Sequence, residues 1–297
     1  MPVRATMPEV RRSVHGTPGI GRHRSRSDDP MPSSGAGGES VSAIVVAERL
    51  TKVFKSRYGG LTTVAVDDVS FAVNEGESFG IVGESGSGKT TTARMMLGLI
   101  SPSAGRVEVD GIDVWEGERE ERQTLPKIIQ AVFQDPFSSM NPRMRIGRIV
   151  TEGLRGLASD ERRTEAERLL EMVGLSKRSV DVFPRQLSGG QRQRVAIARA
   201  LAMEPRIIVA DEPVSSLDVS LRGQILNLLA ELGNEYGLTT VMVSHDLGVV
   251  RQFCSRVIVM SEGQVVEEGD PDRILREPEH SYTKNLVAAI PRLPGEQ

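Results

Sequence analysis

Cysteine is almost missing from this chain: Cys254 is the single one in 297 residues. That excludes an internal disulfide framework and any multi-cysteine metal site, and it suits a reducing compartment such as the cytoplasm. Cys254 lies between Phe253 and Ser255 in a helical pattern, where a thiol is an inert core group. Long apolar runs are missing as well. No stretch approaches the roughly 18 apolar residues of a membrane-spanning helix, so any membrane role must use the spans of another chain. Residues 1–42 hold no apolar core of a secretion signal. Excess charge is also absent. A net charge of -3 gives no basic footprint and predicts no nucleic-acid partner.

What is present begins with a contrast. Residues 1–42 are rich in Arg, Ser, Pro and Gly, too poor in apolar groups to offset the entropy of ordering, and are expected to form a disordered tail. Met31 is an alternative start. From Ala43 onward, strand-like and helix-like runs alternate. Ala43–Ala47, Val64–Val73, Phe79–Val82, Ile128–Phe133, Ile207–Ala210, Thr239–Val243 and Val257–Met260 read as strands. Thr90–Leu99, Arg192–Met203, Ser220–Tyr236 and a segment from about Leu247 read as helices. Ile149–Val173 reads as mainly helical, interrupted at Gly153 and Gly156, with Asp160 and Glu161 opening a stronger helix. Such alternation predicts an α/β fold with a mainly parallel sheet covered on both faces. A helical insertion is expected from about residue 135 to 190.

Gly83-Glu84-Ser85-Gly86-Ser87-Gly88-Lys89-Thr90 fits the phosphate-loop pattern G-x-x-x-x-G-K-[ST] at every fixed position. It follows a buried-strand run and opens a helix, which is the required context. Glycines let backbone N–H groups approach phosphates, and the helix start adds positive potential. Lys89 is expected to reach the β- and γ-phosphates, the Thr90 hydroxyl to ligate Mg²⁺, and Thr91 to contact the α-phosphate. Asp211 ends a buried strand, where α/β sheets place ligands, and is the expected second magnesium carboxylate. Glu212 follows as candidate general base for an attacking water. His245 ends the next strand; a neutral imidazole there can touch the γ-phosphate and orient Glu212. His15, His23 and His280 read as solvent or structural groups.

A second motif, Leu187-Ser188-Gly189-Gly190-Gln191, has no use in a simple kinase or GTPase. In this order the two motifs resemble the ATPases of ATP-binding-cassette (ABC) transporters. Residues 43–297 are similar to ATP-binding subunits of the oligopeptide/dipeptide importer branch. The resemblance implies a P-loop NTPase core with a mainly parallel sheet, an antiparallel β subdomain and an inserted helical subdomain. It makes 43–275 the ATPase domain and 276–297 a C-terminal extension of the peptide-importer type. Gln134 matches the Q-loop and a further magnesium contact, and Ser216-Leu217-Asp218 the D-loop. Phe54, with Tyr58 as the alternative, matches the aromatic that stacks on adenine; such stacking contributes roughly 1–3 kcal/mol.

The branch rests on longer strings, among them Asp135–Arg143, Ala210–Ser220, and His280-Ser281-Tyr282-Thr283 with Ala289-Ile290-Pro291. Nickel importers share much of this pattern, so nickel or another small solute is the alternative cargo. The implied cofactors are ATP and Mg²⁺. Some relatives carry an iron–sulfur cluster; with no cysteine after Cys254, none is expected here. Ser188, Gly189, Gly190 and Gln191 are expected to cap the γ-phosphate bound by an opposing ATPase subunit, a copy or a paralogue. Two membrane permease subunits and an extracytoplasmic substrate-binding protein complete the implied machine, at the cytoplasmic face of the membrane. Phe137 and Met140, in an exposed stretch after Gln134, are expected to dock on the permease. Soluble ABC ATPases acting on ribosomes or DNA fit less well, because the chain has neither a second cassette nor long coiled coils. A P-loop kinase leaves Leu187–Gln191 without a role.

Overall fold

The computed structural model describes residues 42–55 and 62–289. The expected N-terminal tail, Tyr58 and residues 290–297 lie outside the described residues. Strands β1 (Ala43–Phe54) and β2 (Thr63–Asn74) pair antiparallel. Strand β3 (Ser78–Val82) crosses to a second sheet and feeds helix α1 (Lys89–Met96). Strands β4 (Ala104–Val109) and β5 (Ile112–Asp113) return, completing a four-stranded antiparallel sheet in the order β2-β1-β4-β5. Two single turns, α2 (Arg119–Arg122) and α3 (Leu125–Ile128), lead into β6 (Ile129–Val132).

The helices α4 (Ile146–Val150), α5 (Ser159–Met172) and α6 (Gly189–Leu201) follow. Then come β7 (Ile207–Asp211), α7 (Val219–Tyr236), β8 (Thr239–Ser244) and α8 (Leu247–Phe253). The chain proceeds through β9 (Arg256–Ser261) and β10 (Gln264–Gly269) to α9 (Pro271–Arg276) and α10 (Ser281–Ala288). The second sheet has six strands in the order β10-β9-β3-β8-β7-β6. It is parallel from β9 to β6, and β10 closes one edge antiparallel to β9.

The central strands are apolar at nearly every position because both faces are covered. Phe79, Ile81, Ile207, Val209, Val241, Val243, Ile258 and Met260 point into one core, shared with α1 and the antiparallel sheet. Their neighbours Val82, Ile208, Met242, Val257 and Val259 point into the other, shared with α4 to α8. Gly80 in β3 has no room for a side chain: a Cβ would sit 2.6 Å from Val250 and 2.7 Å from Val257. Glycine there lets α8 lie directly on the sheet.

The segment between β6 and β7 is helical, as expected. The interruption expected at Gly153 and Gly156 separates α4 from α5, with residues 151–158 outside either helix. Helix α5 opens beside Asp160 and Glu161, where the Glu161 side chain accepts the Ala158 N–H at 2.9 Å, a local cap that makes the break stable. The stretch after Gln134, by contrast, is not a free loop. Met140 is buried at 3 % exposure within the second core. The Arg199 guanidinium donates to the Ser139 carbonyl at 2.7 Å and ties the segment to α6. The expectation that Met140 is a docking residue is therefore corrected: it packs inward. Phe137 does stay exposed, at 44 %, with the Arg192 guanidinium 5.4 Å from its ring centroid.

Candidate active site

The site lies where β3, β7 and β8 end, outside the carboxyl edge of the parallel sheet. The 83–88 loop joins β3 to α1. Gly88 has φ 104°, and a Cβ there would stand 2.4 Å from the Ala65 carbonyl oxygen, so only glycine fits. Lys89 is buried, and its ammonium donates to the carbonyls of Gly83 at 2.8 Å and Glu84 at 2.7 Å. Burial pulls its pKa down, while the carboxylates of Glu212, Asp211 and Glu84 act to restore it. Ser87 is buried beside it, its hydroxyl 3.5 Å from the Lys89 ammonium.

The Thr90 hydroxyl donates to Asp211 Oδ1 at 3.1 Å, although 121 residues separate the two. Burial raises the Asp211 carboxyl, and the Thr90 bond works against that rise. Two hard oxygen donors side by side at a phosphate loop fit a magnesium ion, which takes few protein ligands and completes its shell with phosphate oxygens and water. Among the described residues no group of three or more His, Cys, Asp or Glu side chains could hold a metal by itself.

Glu212 has φ +50°, in the left-handed region, which costs on the order of 1–2 kcal/mol for a side-chain-bearing residue. Its N–H donates to the Val243 carbonyl at 2.9 Å, so the β7–β8 ladder continues through the turn and holds the strained residue. His245 Nδ1 lies 3.2 Å from Glu212 Oε1. With the proton on Nδ1, the imidazole orients the carboxylate and leaves Nε2 for other contacts. Gln134 sits just past β6, its carbonyl accepting from the Ser216 hydroxyl at 3.4 Å. This bond ties the Q-like and D-like segments together. Asp218 occupies the N-cap position of α7, but its side chain makes no cap bond.

Helix α6 begins at Gly189, not near Arg192. Ser188 and Gln191 form a reciprocal cap: Ser188 Oγ accepts the Gln191 N–H at 3.3 Å, and Gln191 Oε1 accepts the Ser188 N–H at 2.9 Å. That box starts the helix early and makes Gly189 and Gly190 its first residues. A serine hydroxyl that accepts at the cap can still donate its proton outward. Phe54 ends β1 at 43 % exposure, with the Lys52 ammonium 5.3 Å from its ring centroid. Thr91 is half-buried in α1. His280 caps α10 by accepting the Tyr282 N–H at 3.2 Å, the structural one of the two readings for it. Cys254 is buried, and burial raises its thiol pKa, as suits an inert core group. Sequence reasoning missed one contact entirely: the Tyr282 hydroxyl accepts the Glu84 N–H of the phosphate loop at 2.8 Å.

A phosphate loop, a strand-end carboxylate on its threonine, and a second carboxylate held by a histidine define a nucleotide-hydrolysing P-loop protein. The family model described as ABC transporter matches residues 66–215. The chain is 45% identical over 257 residues to the "Probable peptide ABC transporter ATP-binding protein y4tS" of Sinorhizobium fredii, covering 84% of this chain and 73% of that one. It is 44% identical over 260 residues to the oligopeptide transport ATP-binding protein OppD of Mycobacterium tuberculosis, covering 85% of this chain and 42% of that one. Among solved structures, it is similar to the ATP-binding cassette MJ0796, a dimer in a post-hydrolysis state with ADP and Pi. The TM-score is 0.68 at 36% identity, over 76% of this chain and 98% of that one. The chain belongs to the ABC transporter family, as one of its ATP-binding, ATP-hydrolysing subunits. Among the described residues no helix is long and apolar enough to cross a membrane.

Proposed function

We propose that this chain hydrolyses ATP to energise the import of oligopeptides or dipeptides through a membrane ABC transporter. The observation that carries the chemistry is the convergence of Lys89, Thr90, Asp211 and Glu212, with Thr90 bonded to Asp211. The cargo reading is supported by relatives named for peptide import and transport. Thr90 and Asp211 would hold Mg²⁺ with the nucleotide, with Gln134 as a further contact. When bound, the ion would neutralise phosphate charge. Loop N–H groups and Lys89 bind the phosphates, Thr91 adds a contact, and Phe54 stacks on the base.

Glu212 acts as general base and takes a proton from the attacking water on its carboxylate. His245 holds that carboxylate in place and contacts the γ-phosphate. Ser188, Gly189, Gly190, Gln191 and Asp218 face the nucleotide of an opposing subunit, so that each ATP is sealed between two chains. Closure on ATP and opening after hydrolysis is a population shift driven by γ-phosphate contacts. The partner ATPase is a copy or a paralogue. Two permease subunits accept the motion through the segment bearing Phe137, at the cytoplasmic face of the membrane, and a binding protein delivers solute on the other side.

The test is transport. Proteoliposomes carrying this subunit with its permease and binding protein should take up a labelled tripeptide only with Mg-ATP on this subunit's side, and Lys89→Ala should abolish uptake. ATP-driven uptake of Ni²⁺ in place of peptide would move the reading to metal import.

A further inference from the structure

The C-terminal helix touches the nucleotide loop through one specific bond. Tyr282 is the second residue of α10, and its hydroxyl accepts the Glu84 N–H across 198 residues of sequence. Glu84 is the first variable residue of the phosphate loop, and its carbonyl accepts from the Lys89 ammonium. The Glu84 residue is thus held through both its backbone groups, by Lys89 from inside the loop and by Tyr282 from outside.

The placement of Tyr282 is itself secured. Glu267 in β10 accepts the N–H groups of Glu279 at 3.0 Å and His280 at 3.1 Å, clamping the approach to α10. Burial works to raise the Glu267 carboxyl, but these bonds, with Thr283 and the Arg273 charge beside them, hold the group below the usual carboxylate range. His280 caps the helix through the Tyr282 N–H, and Thr283 is fully buried. The ring is fixed before the hydroxyl reaches the loop.

We infer that α10 sets the shape of the phosphate loop, with Tyr282 as a positioning residue for nucleotide binding. The inference rests on the reading of residues 83–90 as the ATP site. Its logic is preorganisation. The Lys89 ammonium carries three N–H donors and holds the loop from inside through the carbonyls of Gly83 and Glu84. The Tyr282 bond uses an N–H on the outer arm and does not compete with those donors. Without it, the arm must be ordered by the nucleotide itself, and affinity falls.

The experiment uses the full chain, with Mg-ATP and Mg-ADP as probes, by calorimetry and steady-state hydrolysis. Tyr282→Phe removes the acceptor oxygen and keeps the ring. Kd and KM for nucleotide should rise about 2- to 10-fold, the range one neutral hydrogen bond commands. The change should fall on KM, with kcat at saturation within about two-fold. Amide exchange in the 83–88 loop should speed up while the melting temperature holds. Glu267→Ala, which frees the approach to α10 and leaves Tyr282 in place, should act in the same direction. Unchanged Kd and loop exchange in Tyr282→Phe overturn the inference. So does a lowered melting temperature with unchanged Kd, which would make the contact merely structural. Lys89→Ala separates the two levels. If it abolishes nucleotide binding while Tyr282→Phe does nothing, this inference alone fails; if it leaves binding intact, the ATP-site reading fails and takes the inference with it.

Discussion

Replacing Glu212 by Gln separates chemistry from structure at this site. Gln keeps the length and shape of Glu, and its carbonyl oxygen can still accept from His245 Nδ1, now 3.2 Å from Glu212 Oε1. The backbone bond to Val243 is untouched, and the φ of +50° costs Gln as much as Glu. Fold stability should therefore move by no more than about 0.5 kcal/mol. What is lost is proton acceptance, which is worth about 10²- to 10⁴-fold in rate, or roughly 3–5 kcal/mol of barrier. The charge change acts on the neighbours too: the Glu212 carboxylate repels that of Asp211 and attracts Lys89. Removing it also relieves repulsion of the γ-phosphate, so an ATP-sealed pair of subunits should accumulate. Phosphate release gives the rate, and size-exclusion chromatography with light scattering, with and without ATP, gives the pairing. The partner ATPase is included if there is one. Turnover near that of the parent chain would remove Glu212 from the role of base. A slow variant that never pairs under ATP, with Ser188 intact, would remove the two-chain site.

Three further outcomes are expected. Phe137→Asp should leave ATP binding by the isolated subunit intact and prevent co-purification with the permease; normal assembly would show that this exposed ring is not at the contact. Gly80→Ala should destabilise the chain by about 1–3 kcal/mol, because its methyl would overlap Val250 and Val257, and denaturant melts measure the loss. Asp211→Asn should stabilise the nucleotide-free chain at pH 7 while weakening Mg-ATP binding. Burial raises the Asp211 pKa in the folded state, so folding favours the neutral group and ionisation at pH 7 opposes it. The gain from Asn is then full above the folded pKa and vanishes as pH falls through it to the unfolded value. A gain that grows on acidification would refute that account.

The candidate site residues were legible because each belongs to a short contiguous motif, although the fold brings those motifs together across as many as 121 residues. The phosphate loop is contiguous, Asp211 follows the apolar run Ile207–Ala210, and His245 follows a buried strand centred on Val241-Met242-Val243. Elements with weak patterns were not legible. Helix α2 reads Arg-Glu-Glu-Arg and buries nothing, so it has no periodicity to detect. Strand β5 is two residues long, and β10 is only partly buried on a sheet edge. The start of α6 was placed too late because glycine argues against a helix, whereas the Ser188–Gln191 cap outweighs that cost locally. Met140 looked free because turn-forming prolines flank it. Only the tertiary fold reveals that the turn lies against α6.

The Tyr282–Glu84 contact marks where reading by motif stops. A motif identifies residues that touch the ligand, because their chemistry is legible in their type and spacing. It cannot identify a group that touches only the motif's own backbone, since any residue in the loop supplies an N–H. Glu84 appears in the sequence as an arbitrary letter between two fixed glycines, yet its N–H and carbonyl both carry side-chain bonds here. Those bonds link the phosphate loop to a C-terminal helix clamped by Glu267. If the Tyr282 bond holds when nucleotide arrives, the energy to order the loop is supplied in advance by folding. Nucleotide binding then has less to order, which is the physical content of preorganisation.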